Sequence, residues 1–190
     1  MNIIPLEFSV VVVGEDCNPT ILNPDFLRCR GTVPEDSTRP TADRESSLTE
    51  LIDGVRRHPR LAYGERLAER LLALLEISRE EQPDQAPPAL ASVMDVMTFL
   101  ADHPELAYPS VVLTHEGNVR IQWRRTKGEH FAVEFVGDGD IRFVIFAPDP
   151  KRPDKIARVS GSATVDSVMR LAEPYGVRRW AEAKNPGDAL

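Results

Sequence analysis

Four histidines, His58, His103, His115 and His130, and two cysteines, Cys17 and Cys29, are the side chains of this sequence best suited to acid–base, nucleophilic or metal chemistry. Their spacing supports little of it. The cysteines have eleven residues between them and no second pair or histidine cluster, which is neither a disulfide framework nor a zinc-site pattern. The histidines are isolated, two of them directly before prolines, and form no H-E-x-x-H; Asp138 and Asp140 fall far short of a calcium loop's ligand set. No metal and no cofactor is expected. Gly161-Ser162 has the outline of a nucleophile elbow, and its amides could cradle an anion at a helix start. It lacks G-x-S-x-G, however, and no acid and histidine follow in order, so an ordinary capping loop is the better reading. His130 and Glu134 stand four residues apart, too far along a strand to act as one hydrogen-bonded pair without a third residue between them. No catalytic residue is assigned. What remains is a possible partner-binding face made of Arg120, Arg124, His130, Glu134 and Arg142, provided the chain places them on one side of one element.

Residues 108–147 would do so. Ser110 to Thr114, Val119 to Arg125, His130 to Val136 and Ile141 to Ala147 are rich in β-branched and aromatic residues. They are separated by Glu116-Gly117-Asn118, Lys127-Gly128 and Gly137-Asp138-Gly139-Asp140, each with a glycine where a tight reversal wants positive φ. The pattern predicts a meander of antiparallel hairpins. Alternation puts Val119, Ile121, Trp123, Phe131, Val133, Phe135, Ile141, Phe143 and Ile145 on the core face. Trp123 is therefore core, not an exposed recognition aromatic. The opposite face carries the five candidate residues with Gln122, a solvated surface that turns apolar at Val136, Val144 and Phe146.

Around the meander, Ile3 to Val13 reads as an edge strand ending at Gly14. No G-x-G-x-x-G follows it, and Pro19 and Pro24 break the helix a dinucleotide fold needs. Ser47 and Glu50 form a capping box for a helix bearing Leu48, Leu51, Ile52 and Val55, stopped at His58-Pro59. Tyr63 to Ser78 and Ala89 to Asp102 are two further amphipathic helices. Both helix stops share a motif, since His58-Pro59-Arg60-Leu61-Ala62-Tyr63 and His103-Pro104-Glu105-Leu106-Ala107-Tyr108 agree at five of six positions. A reused stop is favoured over a paired-histidine site. Pro148 to Pro153 reads as a charged loop, Lys155 to Val159 as a possible fifth strand, and Val165 to Glu173 as a short helix capped by Thr164; from Arg178 the chain reads as a frayed tail.

Two stretches resemble known families. Asn18-Pro19-Thr20-Ile21-Leu22-Asn23-Pro24-Asp25-Phe26-Leu27, closed by Gly31-Thr32-Val33-Pro34-Glu35-Asp36, resembles the opening of a family of uncharacterised bacterial proteins. There a tryptophan commonly follows the Pro-Glu-Asp, whereas this chain continues with Ser37-Thr38-Arg39-Pro40 and a polar run to Ser46. Pro109-Ser110-Val111-Val112-Leu113-Thr114, Glu116-Gly117-Asn118-Val119, Trp123 and Glu134-Phe135, within residues 106–147, resemble a second small bacterial α+β domain family, also uncharacterised. Neither resemblance implies an activity.

The whole reads as an α+β protein, an antiparallel meander of four to five strands packed against three to four helices. Three segments are expected: an N-terminal strand and linker-like extension (1–45), the α+β domain (46–177) and a flexible tail (178–190). The net charge is −7, but residues 1–110 hold 10 Arg and Lys against 19 Asp and Glu while 111–190 hold 13 against 11. An acidic chain disfavours nucleic acid and anionic membranes at long range. No apolar run is long enough to span a bilayer and no signal-peptide pattern opens the chain, so a cytoplasmic protein is expected. The favoured function is a non-catalytic bacterial protein-interaction module, the accessory or neutralising partner in a small gene system, whose partner is another protein. The alternatives are an enzyme or nucleic-acid-acting subunit using the polar sheet face, and a non-functional fused remnant. Nothing in the pattern sets an oligomeric state.

Overall fold

The computed structural model describes residues 9–13, 41–80 and 87–182. Cys17, Cys29, the leader resemblance over 18–36 and the last eight residues lie outside the described residues. The element order is β1 (Ser9–Val13), α1 (Thr41–Arg57), α2 (Gly64–Glu80), α3 (Leu90–Asp102), β2 (Ser110–Leu113), β3 (Val119–Thr126), β4 (Glu129–Gly137), β5 (Asp140–Asp149), β6 (Arg152–Thr164), α4 (Val165–Ala172), a 3₁₀ turn (Glu173–Tyr175) and α5 (Val177–Ala181). The six strands form one antiparallel sheet in the order β1-β6-β5-β4-β3-β2, so β2 to β6 are the meander and β1 is added outside β6. This is the α+β architecture expected.

The alternation reading holds through the meander. Every residue assigned to the core face, Trp123 included, is at most 5% exposed. The helices cover that face: α3 lies on β3 and β4, α1 and α2 pack behind it, α4 sits against β5 and β6, and α5 against β3. Leu48, Ile52 and Val55 of α1, Leu67, Leu71 and Leu75 of α2, and Val93, Val96 and Leu100 of α3 form the apolar stripes, at the helical spacing seen in the sequence. Ser92 ties α3 to the sheet. Its hydroxyl donates to Phe135 O at 2.7 Å and accepts from Val119 N–H at 2.8 Å, linking β3 and β4 at the end away from the turn that joins them.

Several local expectations are corrected. Helix α1 begins at Thr41, so the Ser47–Glu50 pair is an internal turn and the expected domain boundary at 46 falls inside a helix. Gly117 (φ 80°) and the Asp138-Gly139 pair (φ 56° and 79°) adopt the positive φ their reversals need, but Gly128 does not. Space is what Gly128 supplies, because a Cβ there would stand 2.6 Å from Ile156 Cδ1. The stretch Pro148 to Pro153 is no loop: β5 reverses over Pro150-Lys151, with Asp149 Oδ1 accepting from the Lys151 N–H at 2.8 Å. Strand β6 then runs to Thr164 and pairs Gly161 with Phe143 and Ser162 with Arg142, which places Gly161-Ser162 in a ladder and ends the elbow reading. Thr164 does cap α4, its N–H donating to Ser167 Oγ at 3.1 Å. Residues 177–181 form α5, with Trp180 and Ala181 buried, so the expected tail does not start at 178. The two shared motifs make the same local turn, Leu61 N–H to His58 O and Leu106 N–H to His103 O, both 3.1 Å. They meet through Tyr63 and Tyr108, edge to face with centroids 5.4 Å apart.

Candidate functional site

The uncovered side of the sheet is built by register. Three rungs cross it: Val112, Arg120, Glu134, Arg142 and Ser162; then Ser110, Gln122, Ala132, Val144 and Ser160; then Arg124, His130, Phe146 and Arg158. All five candidate residues therefore lie on one face, as alternation requires. They do not form one cluster.

On the first rung Glu134 is the hub. Arg120 Nη2 stands 2.8 Å from Oε2, Asn118 Nδ2 donates to Oε1 at 3.2 Å, and Arg142 Nη1 lies 3.6 Å from Oε1. Arg142 also reaches Glu116, at 3.5 Å. The expectation of a solvated surface fails here, because Glu134 is only 4% exposed and the two arginines 23% and 14%. Guanidinium planes from both neighbouring strands roof the shorter carboxylate, a charge-assisted arrangement that fixes both cations.

On the third rung His130 is also 4% exposed. Its Nε2 is 3.1 Å from Gln122 Oε1, which places the proton of the neutral ring on Nε2, and the ring stacks on Phe146 at 6.0 Å. Arg158 lies over the same Phe146 ring, 5.7 Å from its centroid. Burial first, then the positive charges of Arg124 and Arg120, push the imidazole down to about 4. It is neutral at physiological pH. His130 and Glu134 thus have separate partners, in keeping with their four-residue spacing.

Chemically the face is a set of fixed donors around a small apolar centre of Ala132, Val144 and Phe146. Glu134 accepts from Asn118 and Arg120 and is ion-paired with Arg142, and His130 has its Nε2–H engaged, so neither is arranged to move a proton between bound groups. Among the described residues no group of three or more His, Cys, Asp or Glu side chains is placed to hold a metal ion. Sequence reasoning missed Asn118 and Arg158. Both were within reach of it: Asn118 continues the parity of Arg120 and Gln122 back into the turn, and Arg158 becomes legible once β6 is drawn through to Thr164.

Fold and face together define the class, an α+β domain whose antiparallel sheet is helix-covered on one side and presents an ordered polar ladder on the other. Among known proteins, no family model, no curated protein and no solved structure matches the chain.

Proposed function

We propose that this protein is a non-catalytic protein-interaction module that binds another protein through the outer sheet face, as the accessory or neutralising member of a small bacterial gene system acting in the cytoplasm. The observation that carries this reading is the Arg120–Glu134–Arg142 ladder. Two guanidinium groups held in place by one buried carboxylate have lost most of their side-chain freedom before any partner arrives, and that preorganisation favours recognition of acidic surface. A carboxylate used in this way is not available as a base. No helix among the described residues is long and apolar enough to cross a membrane.

The test is capture of the partner encoded beside this gene by the purified full chain, at low and moderate salt. Arg120→Ala and Arg142→Ala should weaken capture severalfold, more at low salt, because charges at an interface rim act on encounter rate. Glu134→Gln should lower the melting temperature, since it leaves two arginines without their shared anion. A Glu134→Gln chain that melts unchanged yet loses all biological readout would mark Glu134 as catalytic and sink the reading.

A further inference from the structure

Strand β3 is longer than the strand beside it. Its partner β2 pairs only with Val119 to Gln122, whereas β3 continues to Thr126. The backbone pattern gives the free segment a direction: Thr114 N–H donates to Asn118 O at 2.8 Å while the Asn118 N–H donates to Thr114 Oγ1 at 3.1 Å, so this turn-closing pair carries one ladder bond, and alternation makes Val112–Arg120 and Ser110–Gln122 the next hydrogen-bonded pairs. The following position on β3 is Arg124. Its N–H and C=O therefore point to the β2 side, where β2 has already ended, and the bulge between Arg124 and Thr126 confines the regular free edge to this residue. The chain ahead of β2 is drawn off toward α5, with Ala107 N–H donating to Ala181 O at 3.1 Å and Ala107 O accepting from Trp123 Nε1 at 2.7 Å.

The divergence opens a cleft of about 340 Å³, lined by Tyr108, Ser110, Gln122, Arg124, Arg125 and Trp180. Both arginines are exposed and, among the described residues, neither makes a hydrogen bond or ion pair; no acidic side chain lines the cleft. Unlike Arg120 and Arg142, these cations have no paired anion among the described residues. In a chain of net charge −7 that is an uncompensated site.

We infer that this edge is a docking site for an extended acidic segment of the protein partner, which adds as a short strand beside β3. The inference rests on the interaction reading and gives it a place and a chemistry. One segment residue pairs with the Arg124 backbone, and its acidic side chain lies on the outer face against the Arg124 guanidinium. The neighbouring residue points to the helix side, toward Trp180, by the period-two alternation of strands, while Arg125, the extra residue of the β3 bulge, lines the same cleft. Charge complementarity and the unpaired peptide group act together, and either alone would bind less selectively.

The chain holds two tryptophans, and both line the cleft, so their emission reports occupancy directly. The probe is a capped heptapeptide alternating valine and glutamate, titrated into the full chain. A saturable emission change is expected, weakened more than about tenfold by the double substitution Arg124→Glu/Arg125→Glu, since like charges across an interface are strongly disfavoured. A peptide N-methylated along its backbone should weaken comparably, and one with lysine for glutamate should not bind. Equal binding of the N-methylated peptide, or indifference to the double substitution, would overturn strand addition. A response appearing only after removal of residues 183–190 would assign the cleft to the chain's own end and overturn the partner segment. If the chain captures its protein partner, Arg125→Glu has no effect and no peptide binds, the site fails while the interaction reading stands. Peptide binding without any protein partner supports the site and fails that reading.

Discussion

At the scale of single residues, the outer face is set by what neighbouring strands do to His130 and Glu134. Alternation assigns each residue to a face, but exposure on that face depends on the lengths of cross-strand neighbours. Arginines beside Glu134, and Gln122 with Phe146 beside His130, are long enough to enclose the residue between them. That is why the candidate residues were legible in the sequence while their burial was not. A consequence is a pH-dependent stability. His130 falls from the ordinary value near 6.5 to about 4 in the folded chain, so between those values the unfolded chain binds more protons than the folded one. Stability due to His130 is complete above about 6.5 and is lost as pH falls toward 4, at no more than about 1.4 kcal/mol per pH unit. His130→Gln, which keeps a neutral hydrogen-bonding group, should flatten this part of the profile. Urea unfolding of both chains at half-unit steps from pH 7 to pH 4 measures the difference, which also removes the shared contribution of carboxylates.

Among the elements, α5 was the least legible and is the most informative. Five residues cannot show a helical period, and Arg178-Arg179 looks like solvent-facing chain, so only the lone Trp180 signalled a buried segment. Its ring closes the end of the core against β3, and its buried Nε1–H has no hydrogen-bond partner among the described residues. By contrast, α2 and α3 were legible to within a residue or two because each shows three or more turns of apolar stripe. The capping-box signature misplaced the start of α1 because a Ser-x-x-Glu spacing also occurs inside helices, where the preceding residues are helix-compatible. The unpaired indole separates volume from hydrogen bonding at Trp180. Trp180→Ala should cost about 3–5 kcal/mol, the range for deleting a large buried aromatic. Trp180→Phe keeps an aromatic ring and discards a donor that gains nothing, so its cost should stay below about 1.5 kcal/mol. Denaturant unfolding of the two variants compares them directly; similar losses would mean that the indole nitrogen contributes through a bond formed in solution.

For the whole molecule, the governing fact is a sheet whose described helices cover one side, with the last strand, β6, next to the edge and the earliest strand, β1, outside it. The described core side chains run from Leu48 to Ala181 and include members of every helix and of the five meander strands. Local hairpins join those five strands in sequence, so the pairing that builds the sheet needs no long-range closure. Strand β1 is different: Ser9 to Val13 pair with Ser160 to Ile156 across most of the chain's length. A chain of residues 41–182 is therefore expected to melt cooperatively, because the helical layer and the meander close the core between themselves. Its weakness should lie at the new edge. Strand β6 spans 13 residues, and without β1 much of one side of it presents unpaired peptide groups, a template for pairing with another copy. Arg152, Pro153, Asp154 and Lys155 guard the first turns of that edge, but Ala157, Val159 and Ala163 lie beyond them. Sedimentation of the shortened chain at rising concentration should show self-association that the full chain does not, alongside a single thermal transition. Loss of the cooperative transition would show instead that the leader strand closes the core and that the functional unit includes residues ahead of Thr41.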